Sequence, residues 1–242
     1  MIINNIQVEE IKPRIFLLNF DSQYNMAMHF LRYQEYYESP SLRFRGKIFT
    51  IIDFMEWYSK KYGKGAFTYP KDWDGFNLSL SIIEDVLINK SPIIDYNKYD
   101  EDMEKIVAYC YKTLNKNSDD EAYLIGTYGK KKAALKHELA HAFFYTNKEY
   151  EKKMVKLVKS LDKNARKKLF NILKEYGYTR KVFVDEAQAF IATGLTENMG
   201  GLFTVSERKP FISLFKEYYL EGVVVAKPKK RKRFHYWYLN SF

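Results

Sequence analysis

The sequence predicts a predominantly helical α+β fold, on three observations. Most of the chain repeats apolar residues at three- and four-residue intervals, the period of an amphipathic helix. Only two stretches, Ile6 to Phe20 and Glu121 to Tyr128, carry enough β-branched and aromatic side chains to read as strands. Finally, 242 residues that are 46% hydrophobic and 17% aromatic can bury a sizeable core, yet no apolar run approaches the length of a membrane span.

The elements follow in order. Ile6 to Phe20 is interrupted by Pro13, which predicts one or two short strands. Ser22 suits the N-cap of a helix that runs to about Glu38 and stops at Ser39-Pro40. Ile52, Met55 and Tyr58 lie at helical spacing in a second helix, Ile51 to Lys61. Between Tyr62 and Asn77, Gly63, Gly65, Pro70 and Gly75 are mixed with Tyr69, Trp73 and Phe76, which predicts an ordered loop anchored by aromatic rings. Helical spacing returns over Ser79 to Ile88 and over Asp100 to Leu114, where Ile106 and Cys110 share a face. A polar turn at 115–120 leads to the strand Glu121 to Tyr128, and Lys130 to Thr146 then reads as a helix. Three more helices are expected over Glu149 to Leu161, Asp162 to Tyr176 and Lys181 to Thr193, with Asp162 as an N-cap and Gly177 closing its helix. Gly194, Gly200 and Gly201 mark a loop before a last helix from Ser206 to about Glu221.

Charge is unevenly distributed. Lys and Arg number 40 against 30 Asp and Glu, a net charge of +10, but six of the cations lie in Lys227 to Arg233. The remainder of the chain carries 34 against 30, so a nearly balanced body bears a basic, aromatic tail at 225–242. That tail has the cations and rings to contact nucleic acid or another acidic partner, or to act as a nuclear-import signal in a eukaryotic setting. The simpler reading is a solvated terminal segment. Cys110 is the single cysteine, which excludes an intramolecular disulfide and a Cys-based zinc knuckle and fits a reducing compartment. The first residues lack the cationic flank and long apolar stretch of a secretory signal. The expectation is a soluble intracellular protein, cytoplasmic or nuclear, with no membrane partner.

The chemistry is concentrated in Lys136-His137-Glu138-Leu139-Ala140-His141-Ala142, an H-E-x-x-H pattern inside a predicted helix. Residues four apart on a helix point about 40° from each other, so both imidazoles project from one face and can ligate one metal ion. Glu138 flanks that face, where a general base for a metal-activated water is needed. Chance pairing at this composition gives an expected count of about 0.005, so coincidence is a poor explanation. A catalytic zinc usually takes three protein ligands and keeps one open position, so a third ligand is needed. His29 and His235 are too far from the motif in sequence to extend it, whereas Asp185 and Glu186 form an acidic pair inside an apolar helix, where an unpaired carboxylate is costly.

Together these residues resemble the zincin metallopeptidases, specifically the gluzincins, in which a second helix carries an acid followed by Ala. The match here is Asp185-Glu186-Ala187. The resemblance implies a zincin-like catalytic core with a small sheet before the active-site helix, Zn2+ held by His137, His141 and Glu186, and Glu138 as general base and proton shuttle. Two departures stand out. Forty-four residues separate His141 from Glu186, and the position four beyond Glu186, often an acid that orients the first histidine, is Phe190. The orienting group must come from elsewhere, with Asp185 a candidate.

The resemblance further implies cleavage of a peptide or protein amide, with the substrate extended along an edge strand, the position that Glu121 to Tyr128 occupies in the sequence. Tyr145, Tyr178 and Arg180 lie near the motifs and are candidate donors to an oxyanion. On this reading 1–100 is an N-terminal elaboration, a substrate-recognition half or lid, and 101–224 is the catalytic core. The competing reading is a non-catalytic binding protein on a zincin-like scaffold, recruited to an acidic partner through Lys227 to Arg233. Neither oligomeric state nor substrate identity follows from the sequence.

Overall fold

The computed structural model describes residues 1–88, 93, 95–114, 121–129 and 131–220. The basic tail, Lys227 to Arg233 included, lies outside the described residues. Among them the fold is α+β and mostly helical, built on one five-stranded sheet.

Strands β1 (Ile2–Ile3), β2 (Ile6–Lys12) and β3 (Ile15–Phe20) form an antiparallel meander. The turn at Pro13 and Arg14 divides β2 from β3, and Arg14 takes φ +66° there. β4 (Phe76–Ser79) and β5 (Tyr123–Tyr128) complete the sheet in the order β1-β2-β3-β5-β4, with β5 parallel to β3 and antiparallel to β4. A parallel neighbour needs a long crossover. Here α1 (Gln23–Glu38), α2 (Ile51–Lys61), the short α3 (Tyr69–Asp72), α4 (Leu80–Ile88) and α5 (Lys98–Thr113) lie between β3 and β5 in the chain.

Alternating side chains give the sheet two buried faces. Phe16, Leu18, Phe20 and Leu124 join α1 to α5 in one core, where Phe30 stacks on Phe76 with ring centroids 5.5 Å apart. Ile15, Tyr123 and Ile125 face the second core, built by α6 (Lys132–Thr146), α7 (Lys148–Ser160), α8 (Lys163–Glu175), α9 (Phe183–Thr193) and α10 (Val205–Leu220). α6 packs against both α9 and β5, so the H-E-x-x-H helix is held between the sheet and the helix carrying the acidic pair. No described helix is long and apolar enough to cross a membrane.

The caps match the sequence. Ser22 accepts from the Asn25 amide, and Asp162 accepts from the amides of Asn164 and Ala165 at 2.9 Å each. Gly177 follows α8 at φ +93°, a conformation that L side chains resist. The departures lie in the stretch expected to be a loop. It contains α3, and its end is the edge strand β4. Consequently Glu121 to Tyr128 does not supply a sheet edge. β5 is hydrogen-bonded by β3 on one side and β4 on the other, which occupies its ladder, and the edge beside α6 belongs to β4.

Gly126 of β5 is required by the Phe30 ring that covers it. A Cβ there would lie 2.4 Å from Phe30 Cε2 and 2.9 Å from Cζ. Gly126→Ala is therefore expected to destabilise the fold by about 1–3 kcal/mol through overpacking. Urea unfolding checks this: a lowered midpoint at unchanged slope is expected, and a wild-type midpoint contradicts it.

Candidate metal centre

His137 and His141 project from one side of α6 toward α9, as the four-residue spacing requires. Their Nε2 atoms are 3.2 Å apart. Glu186 Oε2 lies 3.8 Å from His137 Nε2 and 3.7 Å from His141 Nε2, and the three side chains form a group able to hold a metal ion. A triangle with these sides contains a point about 2.1 Å from all three atoms, the length of a zinc–nitrogen or zinc–oxygen bond.

Hydrogen bonds behind the rings turn both Nε2 atoms inward. His141 Nδ1 lies 2.9 Å from Asp185 Oδ1, and since a carboxylate only accepts, Nδ1 donates the hydrogen and Nε2 is the nitrogen that faces inward, its lone pair freed when the ring gives up its second proton. Gln188, fully buried, donates to Asp185 Oδ1 at 3.0 Å and to the Ala140 carbonyl at 3.2 Å, while its own oxygen accepts from the Tyr150 hydroxyl at 3.0 Å. One side chain thus fixes Asp185 and ties α9 to α6. Thr193 performs the same task for His137. Its hydroxyl donates to the Ala189 carbonyl at 2.7 Å, leaving its lone pairs to accept from His137 Nδ1 at 3.4 Å. Phe190, in place of the acid expected there, packs its ring 4.6 Å from that of His137. Asp185 therefore orients the second histidine, and a threonine orients the first.

Electrostatics favour a cation at this point. Glu186 is 6% exposed and its buried Oε2 has no hydrogen-bond partner, an arrangement that costs about 1–3 kcal/mol or more for a charged group. Burial opposes a charge on His141, yet the carboxylates of Asp185, Glu186 and Glu138 overcome it and raise the ring's pKa to about 10. Burial and the charge on His141 push His137 well below the usual imidazole range. Burial pushes Glu186 well up, with Asp185, Glu38 and Glu138 adding to it against His141. The field that draws a proton onto His141 also draws a divalent ion, and two neutral imidazoles with one carboxylate suit zinc.

Glu138 is 6% exposed and follows His137 in α6, within the influence of the charge on His141. Its Oε2 accepts from Asn77 Nδ2 of β4 at 2.5 Å. Burial raises its pKa, while His141 and the Asn77 hydrogen bond act in the opposite direction.

The sequence did not point to Glu38, Asn77, Gln188 or Thr193. Glu38, near the end of α1, has a pKa raised by burial to about 7 and feels the charges of His141, Asp185 and Glu138. It lines a cleft of about 230 Å³ between Tyr36 and Tyr37 on one side and Thr179 and Val182 on the other. Among the three candidate oxyanion donors, Tyr178 is half-buried, and burial together with the charges of Glu186, Glu38 and Glu138 pushes its pKa well up. Tyr145 instead packs on Tyr123 with its hydroxyl 3.4 Å from Ser81 Oγ, and Arg180 is exposed.

No family model matches the chain, and neither a curated protein nor a solved structure matches it.

Because His141 holds a proton up to about pH 10, a metal ion binding through its Nε2 must displace that proton. Zinc binding at pH 7 is expected to release at least about one proton per ion, and the apparent affinity to fall about tenfold for each pH unit of acidification. Calorimetry in buffers of different ionisation enthalpy measures this, and zinc binding without proton release contradicts it.

Proposed function

We propose that the protein is a zinc-dependent hydrolase that cleaves a peptide or protein amide bond. The observation that carries this reading is the convergence of His137 Nε2, His141 Nε2 and the unpartnered Glu186 Oε2 on one point, with the buried Glu138 carboxylate beside them.

Zinc bound by these three ligands would polarise a carbonyl and acidify a water. Glu138 takes the proton from the attacking water, because its carboxylate flanks the ligand-bearing face of α6 while hydrogen-bonded to Asn77 rather than to either histidine. It then returns that proton to the leaving nitrogen, so one carboxylate serves as base and acid in turn. Asp185 and Thr193 keep the imidazole lone pairs directed inward throughout, and Gln188 holds Asp185 in register with α6. Of the candidate donors to the oxyanion we assign Tyr178, because the Tyr145 hydroxyl faces Ser81 and Arg180 is exposed. The edge of β4 offers an extended peptide a backbone ladder next to α6.

Purified protein is expected to bind about one zinc per chain. Glu138→Gln should keep the metal and lower hydrolysis of a peptide library by about 100-fold or more. His141→Ala should lose both metal and activity. Full hydrolysis by Glu138→Gln, or by metal-free protein, contradicts the assignment.

A further inference from the structure

The general base in the reading above is buried, and its position is held by groups from the first hundred residues. Asn77 Nδ2 donates to Glu138 Oε2 at 2.5 Å. The Tyr123 hydroxyl on the neighbouring strand donates to Asn77 Oδ1. These two contacts determine how the amide lies. A carboxylate can only accept, so it must face the NH2 end of Asn77, and the phenol hydrogen then satisfies the oxygen end. Antiparallel pairing puts Asn77 opposite Ile125, so Asn77 and Tyr123 share the sheet face that looks toward α6. The second carboxylate oxygen is confined from the other side. A Cβ on Gly75 would lie 2.7 Å from Glu138 Oε1 and 3.0 Å from its Cγ, so the carboxylate occupies the space that only glycine leaves open.

We propose that Asn77 is a positioning residue for Glu138, oriented by Tyr123 and working with the gap at Gly75, so that the edge strand β4 sets the geometry of the catalytic base. The proposal rests on the hydrolase reading for its kinetic consequence. The position of the carboxylate is a separate matter and can be measured independently.

The strand and the base form one unit in this account. The clamp engages Oε2 and the gap at Gly75 receives Oε1, so both oxygens of the carboxylate are placed by β4 and the residue before it. A displacement of about 1 Å at such a group is enough to lower turnover about 100-fold. Tyr123 acts only through Asn77, so its effect must vanish when the amide is gone.

The test uses Asn77→Ala, Tyr123→Phe, the double variant and Gly75→Ala in the full chain loaded with zinc. Asn77→Ala should retain its zinc and a KM within about twofold of wild type while kcat falls about 10- to 100-fold. Tyr123→Phe keeps the buried ring and should lower kcat by about 3- to 10-fold, with no further loss when added to Asn77→Ala. Gly75→Ala should lower kcat without loss of zinc. Crystal structures of zinc-loaded Asn77→Ala and Tyr123→Phe supply the readout that does not depend on activity: the Glu138 carboxylate should leave its wild-type position or split into two conformers. An unmoved carboxylate in both variants overturns the proposal, as does undiminished turnover by Asn77→Ala or a full Tyr123→Phe loss in the Asn77→Ala background. Should Asn77→Ala fail to fold, the near-isosteric Tyr123→Phe decides alone. If the wild-type protein binds zinc but cleaves no peptide, the hydrolase reading fails, and the crystallographic arm still decides whether Asn77 and Tyr123 hold Glu138.

Discussion

Two imidazoles and a carboxylate aimed at one another inside a protein repel unless a proton or a metal ion lies among them, and that constraint organises the second half of this molecule. His137 Nε2, His141 Nε2 and Glu186 Oε2 approach to between 3.2 and 3.8 Å. Among the described residues no Lys or Arg forms an ion pair with Glu186, Asp185 or Glu138, so the imidazoles face the carboxylates alone. Such an arrangement costs stability unless a proton or a metal ion sits among the three groups. The supporting contacts act on two of those groups: Gln188, Asp185 and Thr193 are spent on ring orientation, and a ring turned by one flip would withdraw its lone pair.

The scaffold explains why the donors can be so rigid. α6 is held between β5 and α9, and its partners on both sides are buried. Glu138 is anchored to the sheet through Asn77, while the two imidazoles are anchored to α9 through Asp185, Gln188 and Thr193. The two halves of the sequence therefore meet at the site: β4, the residue before it and the end of α1 come from the first hundred residues and contribute Asn77, Gly75 and Glu38 around a motif that lies well after them.

Much of this was legible in the sequence where local chemistry decides structure. The four-residue spacing of His137 and His141 fixes a common helix face whatever the tertiary context, and an acidic pair in an apolar helix demands a partner. Caps such as Ser22 and Asp162 announce helix starts because their side chains satisfy local amides. The tertiary contributions were not legible. β4 was hidden because Phe76 to Ser79 is four residues long and follows a glycine- and proline-rich stretch, so pairing with β5 rather than propensity makes it a strand. Asn77 and Thr193 have no local signature of function. Phe190 was misleading as a missing ligand-orienting acid, since the hydrogen bond it would have made is supplied by Thr193 three residues later, nearly one turn along the helix.

The central claim is that one metal ion sits among two imidazoles and one carboxylate. X-ray absorption at the zinc edge of the zinc-loaded protein tests it most directly. The account predicts a first shell of nitrogen and oxygen at about 2.0–2.1 Å, with the outer-shell scattering of two imidazoles that becomes one in His141→Ala. A shell without imidazole scattering, or one unchanged by loss of His141, would contradict it.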